Sequence, residues 1–109
     1  MRWTIEFYDK KVEASIKDWP EGILAKFVWI SAVIEEAGPA DVGMPHIKAL
    51  GQGLFEIRVK GKEGIGRALF CTIRGRVVVV LNSFIKKTQK TPPSELALAK
   101  KRMAEVKKQ

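Results

Sequence analysis

The sequence predicts an α+β fold, in which a small and mostly antiparallel sheet is accompanied by an N-terminal helical hairpin and one C-terminal helix. Three observations support this fold class: a strand-like alternation near the N-terminus, two stretches of helical spacing after it, and three consecutive apolar segments separated by short turns. The predicted element order is β-α-α-β-β-β-α. The length of 109 residues is that of one domain, so we expect a single domain over residues 1–109.

The N-terminal segment alternates apolar and polar residues over Trp3–Tyr8, which predicts the first strand. Asp9 then provides an N-cap for a first helix, in which Val12, Ile16 and Trp19 follow at helical spacing. A second helix is predicted after Pro20, which either ends the first helix or occupies the first position of the next. Its apolar stripe consists of Ile23, Phe27, Ile30 and Ile34, widened by Leu24, Val28 and Val33.

The second helix is expected to end at Gly38 and Pro39, because a glycine followed by a proline is typical of a helix C-terminus. Residues 39–53 contain two prolines and three glycines, which predicts an irregular connection. The chain has three tryptophans, and all three lie on apolar faces of predicted elements. We therefore expect Trp3, Trp19 and Trp29 to pack in the core rather than to stack on a ligand.

The C-terminal half predicts three strands over residues 54–60, 67–73 and 77–84. Short glycine-containing turns join them, so they should form an antiparallel meander. The last of these strands is almost continuously apolar, which is typical of a central strand covered on both faces. A final helix should begin near Thr91 and Pro92, and we expect the helices to pack on one face of the sheet. The apolar stripe of the final helix consists of Leu96, Ala99, Met103 and Val106.

Charge is distributed unevenly along the chain. The formal net charge is +8 overall, but it is −2 over residues 1–53 and +10 over residues 54–109. Such a basic half indicates a polyanionic partner, with nucleic acid first among the candidates, although a solubilising surface or an acidic protein partner would give the same charge.

Composition also excludes several classes of protein. One cysteine, Cys71, allows no intrachain disulfide, and one histidine, His46, allows no zinc site of clustered Cys and His. No metal and no cofactor is therefore predicted. Apolar runs are too short for a membrane helix and the N-terminus lacks the pattern of a secretory signal, so we expect a cytoplasmic protein that does not bind a membrane.

Several charged side chains should meet on one face of the predicted sheet. Glu56, Arg58 and Lys60 alternate along one strand and so share a face, and Arg67 opens the neighbouring strand. The basic pair Lys86 and Lys87 follows the end of the central strand. The expected result is a face with several cations, one carboxylate and the ring of Phe84.

This set of side chains suits a phosphodiester, because cations hold a phosphate and stabilise the negative charge that grows during attack on it. RNA supplies its own nucleophile in the 2′-hydroxyl, so its cleavage requires a base, an acid and charge stabilisation. The candidate catalytic residues are Glu56 as base, Lys86 or Lys87 as acid, and Arg58 and Arg67 on the phosphate. A solvated charged face, with Glu56 in a surface ion pair, remains the alternative. The candidate RNA-binding residues are Lys60, Phe84, Lys90 and His46.

Two blocks of the sequence together resemble the HigB-like, phage-derived branch of the RelE/ParE toxin superfamily. They read GLFEIRVKGKEGIGRALF from Gly53 and LNSFIKKTQKTPPSELALAKKR from Leu81, and the resemblance covers roughly residues 44–103. It implies a RelE-like fold and the toxin of a type II toxin–antitoxin system, a metal-independent endoribonuclease that cleaves mRNA in the ribosomal A site. By motif position, the phosphate-binding cations of that family correspond to Arg58, Arg67, Lys86 and Lys87, with Glu56 beside them.

The resemblance also implies partners and leaves alternatives open. It implies a cognate antitoxin with a helix-turn-helix domain, together with mRNA and the ribosome, and no small-molecule cofactor. The alternatives are a same-fold toxin that binds DNA gyrase, as in the ParE branch, or an inactive phage-derived RNA- or protein-binding module. The chain departs from the family where Gly66 replaces a common aromatic residue, and it has no tyrosine or histidine after residue 46. These departures concern proton transfer more than phosphate binding.

Overall fold

The computed structural model describes residues 2–43, 45–86 and 90–108, and it contains one five-stranded sheet with helices on both faces. The strand order is β1-β5-β4-β3-β2, where β1 and β5 are parallel and the other neighbours are antiparallel. This confirms the predicted α+β class with a mostly antiparallel sheet. In chain order the elements are β1 (Thr4–Phe7), α1 (Lys10–Lys17), α2 (Glu21–Ala37), α3 (Pro39–Val42), β2 (Ile47–Gly51), β3 (Leu54–Gly61), β4 (Gly64–Ile73), β5 (Val77–Lys86) and α4 (Pro93–Lys107).

The helical hairpin begins and ends at the residues that the sequence indicates. The carboxylate of Asp9 accepts a hydrogen bond of 2.9 Å from the backbone N–H of Val12, which caps the start of α1. Gly38 ends α2 with a φ of 89°, and a Cβ at this position would lie 2.7 Å from the ring nitrogen of Trp3. Glycine is therefore required here both by backbone conformation and by the close approach of the Trp3 ring.

Residues 39–53 are more regular than predicted, because they contain the helical turn α3 and the edge strand β2. Ile47 is buried, whereas Lys48 and Ala49 are exposed, so β2 has little of the apolar pattern by which strands are identified. A two-residue turn joins β2 to β3, with positive φ at both Gln52 and Gly53. Asn-Gly is the usual sequence of such a turn, and the turn is not recognised from the sequence because glutamine stands in the first position.

Strands β3, β4 and β5 form the predicted antiparallel meander. As predicted, β5 is covered on both faces and lies inside the sheet, between β1 and β4. Val78 and Val80 are buried in one core cluster, while Val79 and Leu81 are buried in the other. The run of apolar residues in β5 thus reflects burial on both sides.

The prediction that the helices share one face of the sheet is wrong. Helices α1 and α2 cover one face, where they pack on Ile57, Phe70 and Val80 among others. Helix α4 covers the opposite face, where Ala99 is fully buried against a second cluster and Leu96, Met103 and Val106 pack around it. Because β4 and β5 are apolar on both sides, each side requires its own covering layer. We call the two sides the α1–α2 face and the α4 face. Among the described residues, no helix is long and apolar enough to cross a membrane.

Helix α4 is held at its C-terminal half by contacts to Tyr8, which directly follows β1, and to β5. The Tyr8 hydroxyl donates a hydrogen bond to the Glu105 carboxylate, which raises the pKa of Tyr8. The guanidinium of Arg102 lies 4.6 Å from the centroid of the Tyr8 ring and donates a 2.7 Å hydrogen bond to the carbonyl of Leu81. These contacts fix the position of α4 across the sheet.

The three tryptophans have different environments, contrary to the prediction that all would pack in the core. Trp19 is buried and packs edge-on against Phe27, and Trp3 is half-buried. Trp29 is 59% exposed, and its neighbour Val28 is 58% exposed. Helix α2 is apolar around most of its circumference, so spacing alone does not identify the side that faces the sheet.

Candidate functional site

The charged side chains of the middle strands form rows across the α4 face. Arg58 of β3 lies directly opposite Arg67 of β4, which in turn lies opposite Phe84 of β5. One step further along the strands, the next row consists of Lys60, Ile65 and Lys86. Directly opposed residues of antiparallel strands project to the same face, so the structure brings all of these side chains to one side. We call them the arginine row and the lysine row.

A β-bulge in β5 puts Phe84 and Lys86 in these rows. Leu69 pairs with Asn82, but the next residue, Phe70, pairs with Val80, so Leu81 is an extra residue in β5. The bulge reverses the alternation along the rest of β5. Without the extra residue, Phe84 and Lys86 would point to the α1–α2 face. Both residues are predicted from the sequence to lie near the site, but no pattern in the sequence signals this bulge.

A third row, consisting of Glu56, Leu69 and Asn82, lies beneath the start of α4. Glu56 is fully buried, and both of its carboxylate oxygens are engaged. Oε1 lies 2.9 Å from Nε of Arg58, and Oε2 accepts a 2.7 Å hydrogen bond from the hydroxyl of Thr91. Glu56 therefore links the arginine row to the residue that precedes α4.

Asn82 attaches the first turn of α4 to β5. Its side-chain amide donates hydrogen bonds of 3.1 and 3.0 Å to the backbone carbonyl and to Oε1 of Glu95. Asn82 itself is buried, with 4% of its surface exposed. Thr91 and Asn82 were not among the predicted site residues. Thr91 had a signal as a helix-start residue, but nothing in the sequence pattern pairs either residue with its partner.

Exposure increases from the buried row to the lysine row. Arg67 is fully buried, and this burial lowers the pKa of its guanidinium, as does the neighbouring charge of Arg58, while Glu56 acts in the opposite direction. The side chain of Arg58 is 18% exposed, and Lys60 and Lys86 are exposed. Together these five side chains comprise four cations and one carboxylate. Such an arrangement can bind an anion at its exposed edge while a buried charge acts from behind, where water screens it less.

The remaining predicted site residues lie elsewhere. Lys90 is exposed and directly precedes Thr91, while Lys87 lies outside the described residues. His46 does not belong to the rows but lies at the edge of the sheet. Its backbone carbonyl accepts a 2.7 Å hydrogen bond from the N–H of Arg58, and its ring meets the ring of Trp29 edge-on at 5.9 Å.

Gly66, which replaces the common aromatic residue of the resembled family, is explained by packing on the α1–α2 face. A Cβ at this position would lie 2.8 Å from both the Trp19 ring and Cγ2 of Ile23. The ring of Trp19 thus occupies the space of a side chain at position 66. Because Gly66 and Arg67 are consecutive in a strand, this departure concerns the face opposite the arginine row.

Comparison with known proteins places the chain in a family. The family model described as phage-derived protein Gp49-like matches residues 14–104. No curated protein matches the chain by sequence. Its fold is similar to that of a double arginine-to-alanine variant of the E. coli toxin RelE in the free state, with a TM-score of 0.66, 12% identity, and coverage of 94% of this chain and 99% of that chain.

A second similar structure is that of the archaeal RelE–RelB complex from Pyrococcus horikoshii, with a TM-score of 0.59 and 15% identity. The match covers 83% of this chain and 100% of that chain. At these identities the two structures show a shared fold. The chain belongs to the phage-derived Gp49-like family, which together with the RelE fold confirms the predicted resemblance to the HigB-like branch of the RelE/ParE toxin superfamily.

Proposed function

We propose that this protein is the toxin of a type II toxin–antitoxin system and that it cleaves mRNA in the ribosomal A site. Membership of the Gp49-like family and the RelE fold support a toxin. The charged rows of the α4 face support a phosphodiester substrate, whereas the restriction to ribosome-bound mRNA is drawn from the family resemblance.

The observation that carries the proposal is the opposition of Arg58 and Arg67 on one face, beside the exposed lysines Lys60 and Lys86. In the proposed step, the 2′-hydroxyl oxygen of RNA attacks the adjacent phosphorus and loses its proton to solvent water. The bond from phosphorus to the 5′-oxygen breaks, and that oxygen gains a proton. The products are a 2′,3′-cyclic phosphate and a 5′-hydroxyl end. Arg58, Lys60 and Lys86 would bind the phosphate, and their charge would stabilise the negative charge that grows on it.

The geometry of Glu56 favours a positioning role over that of a base touching the 2′-hydroxyl. The carboxylate has no exposed surface, and its two oxygens contact Arg58 and Thr91. In this role Glu56 fixes the position of the Arg58 guanidinium. Lys86 or Lys87 stays our candidate for the acid that protonates the leaving oxygen.

The proposed partner is an antitoxin. The similar archaeal RelE was crystallised as a complex with RelB. The net charge of +10 over residues 54–109 favours an antitoxin with an acidic segment that lies across the lysine row and neutralises it. We further propose, from the resemblance, that this antitoxin carries a helix-turn-helix domain.

The test is inducible expression in bacteria followed by mapping of RNA 5′ ends. We expect growth arrest and new 5′-hydroxyl ends within mRNA coding regions, and co-expression of the adjacent gene product should suppress both. The double variant Lys60→Ala/Lys86→Ala should lose these ends and restore growth. Lys100→Ala/Lys101→Ala is the matched control, because it removes two exposed cations of α4 and should stay toxic.

Two results would contradict the nuclease. One is an unchanged pattern of mRNA ends in the Lys60→Ala/Lys86→Ala variant. The other is replication arrest without new mRNA ends, which would identify a gyrase-directed toxin instead.

A further inference from the structure

A groove of about 510 Å³ lies between α2 and the last residues of β3. Its floor is apolar and includes Ile30, Val59 and Ile65, and its walls include Trp29 and His46. The pairing of β2 with β3 ends at Ile47 and Ile57, so the groove occupies the sheet edge beyond that pair. We call it the α2–β3 groove.

The rim of the groove is basic. Lys26, Arg58 and Lys60 line it, and no acidic side chain is among its described lining residues. Lys26 donates a 3.0 Å hydrogen bond from Nζ to the backbone carbonyl of Lys60, which places its charge on the open edge of β3. A site with an apolar floor and a basic rim is complementary to a flat apolar group that carries phosphates on either side.

Trp29 provides an aromatic surface at this groove. The residue is 59% exposed and its ring meets the ring of His46 edge-on, so the side chain is held beside the groove while much of the residue stays accessible. Val28, the preceding residue, is equally exposed but does not line the groove. The two residues therefore form a matched pair for testing what the groove does.

We propose that the α2–β3 groove binds one nucleobase of single-stranded RNA, with Trp29 as the stacking surface and Lys26 and Lys60 on the flanking phosphates. This inference rests on the proposed function, since Arg58 and Lys60 belong both to the groove and to the charged rows. A strand whose phosphate lies on the lysine row would reach the groove across these shared residues. The combination of an exposed aromatic ring with cations is characteristic of sites for single-stranded nucleic acid.

A protein partner is the other occupant that an apolar groove could take. A partner helix or strand that covered α2 would contact Val28 as well as Trp29, because both are exposed on that helix. The nucleobase is favoured because the aromatic ring, the basic rim and the continuity with the arginine row meet in the groove and do not extend to Val28.

The test is a fluorescence titration with a 2′-O-methyl RNA tetranucleotide, which cannot be cleaved by 2′-hydroxyl attack. In the variant Trp3→Phe/Trp19→Phe, Trp29 is the one tryptophan, and its emission should be quenched by more than half at saturation. If Trp19→Phe disturbs folding, the difference between the titrations of the wild-type protein and of Trp29→Leu provides the same signal.

The RNA affinity should distinguish substitutions of Trp29 from substitutions of Val28. We expect Trp29→Ala to raise the Kd about tenfold or more, since stacking on one base is typically worth ~1–3 kcal/mol. Trp29→Phe should keep most of the affinity, and Val28→Ala should change it less than about twofold, in line with surface substitutions elsewhere.

Three outcomes overturn the inference, and they are distinguishable. RNA that binds with wild-type affinity to Trp29→Ala, but weakly to Lys60→Ala/Lys86→Ala, leaves the proposed function intact and removes the nucleobase from the groove. Equal weakening of antitoxin binding by Val28→Ala and Trp29→Ala, without any effect on RNA, makes this a protein-docking face. A wild-type protein that binds no free RNA refutes this inference, whereas the proposed function is decided separately by the mapping of RNA 5′ ends in cells.

Discussion

On the α1–α2 face, strands β3, β4 and β5 carry apolar and small uncharged residues, whereas on the α4 face the same strands change from apolar to charged along their length. On the first face, Ile57, Val59 and Ala68 are buried under the helical hairpin. On the second, the corresponding stretch of the strands contains Arg58 and Arg67. Neighbouring residues of the same strands are thus apolar where they point to the α1–α2 side and charged where they point to the α4 side.

This difference separates stability from the proposed activity. The α1–α2 face contributes hydrophobic burial without ionised groups, so its substitutions should act on the free energy of unfolding. The charged part of the α4 face buries Glu56 and Arg67, and burying ions is unfavourable unless they are paired. Substitutions there should lower RNA cleavage per folded molecule, which substitutions on the α1–α2 face should not do.

The largest effect is expected for Arg67→Met. Methionine fills a similar volume without the charge, and the ion pair between Glu56 and Arg58 remains. RNA cleavage should fall at least ~100-fold, equivalent to about 2.7 kcal/mol of transition-state stabilisation. Some loss of melting temperature is expected, because the charge of Arg67 lies near that of Glu56 and removal of one charge from a buried set is destabilising. Glu56 keeps its contacts with Arg58 and Thr91, so the protein should still fold. A variant that melts much earlier but cleaves normally would show that Arg67 has a structural role alone.

A smaller loss of cleavage is expected for Thr91→Val. The change removes the hydrogen bond to Oε2 of Glu56 and leaves a buried carboxylate oxygen without this donor, at a cost of ~1–3 kcal/mol. We expect about a tenfold loss of cleavage, because Glu56 then holds Arg58 less firmly. Thr91→Ser keeps the hydroxyl and should cleave normally. Equal activity of the valine and serine variants would exclude this role for the hydroxyl.

In helix α2, which covers the α1–α2 face, Ile34→Val should lower stability and leave RNA cleavage unchanged. Ile34 is fully buried, and removal of one methylene group should lower the free energy of unfolding by about 0.5–1.5 kcal/mol. Cleavage per folded molecule should be unchanged. Denaturant unfolding together with an RNA cleavage assay measures both quantities, and a clear loss of cleavage would contradict the separation of the two faces.

The smallest effect concerns Cys71, which lies in the apolar part of the α4 face. Burial raises the pKa of its thiol, so the folded protein binds the thiol proton more tightly than the unfolded chain does. This contribution to stability is complete below the thiol pKa of the unfolded chain, near ~8.5, and is lost as pH rises towards the folded value. Between about pH 8 and 10, the wild-type protein should therefore lose slightly more stability than Cys71→Ala. An identical pH dependence in both proteins would show that the thiol does not titrate differently on folding.

The elements that local signals define were predictable from the sequence. Asp9 marks the start of α1, and the alternation around Arg58 defines β3 and the face of its charged residues. Strand β2 could not be predicted, because its exposed edge position and its Gln52-Gly53 turn carry weak local signals. The exposure of Trp29 was equally hidden, since it depends on which side of an apolar helix meets the sheet.

The site was predictable in its residue types but not in its construction. The i, i+2 spacing brought Glu56 and Arg58 together, whereas the bulge at Leu81 and the hydrogen bond of Thr91 depend on the three-dimensional packing of β5 and α4. Glu56 illustrates the limit most clearly. Its sequence neighbours suggest an exposed carboxylate among cations, but the start of α4 covers it completely.

The central claim is that the arginine and lysine rows bind the phosphates of RNA, and the salt dependence of affinity tests it most directly. For a 2′-O-methyl RNA and about four phosphate contacts, log K should fall with log salt concentration at a slope of about −3. In Lys60→Ala/Lys86→Ala the slope should flatten to about −1.5, while Lys100→Ala/Lys101→Ala keeps the wild-type value. A slope near zero in the wild-type protein, or the same slope in all three proteins, would contradict it.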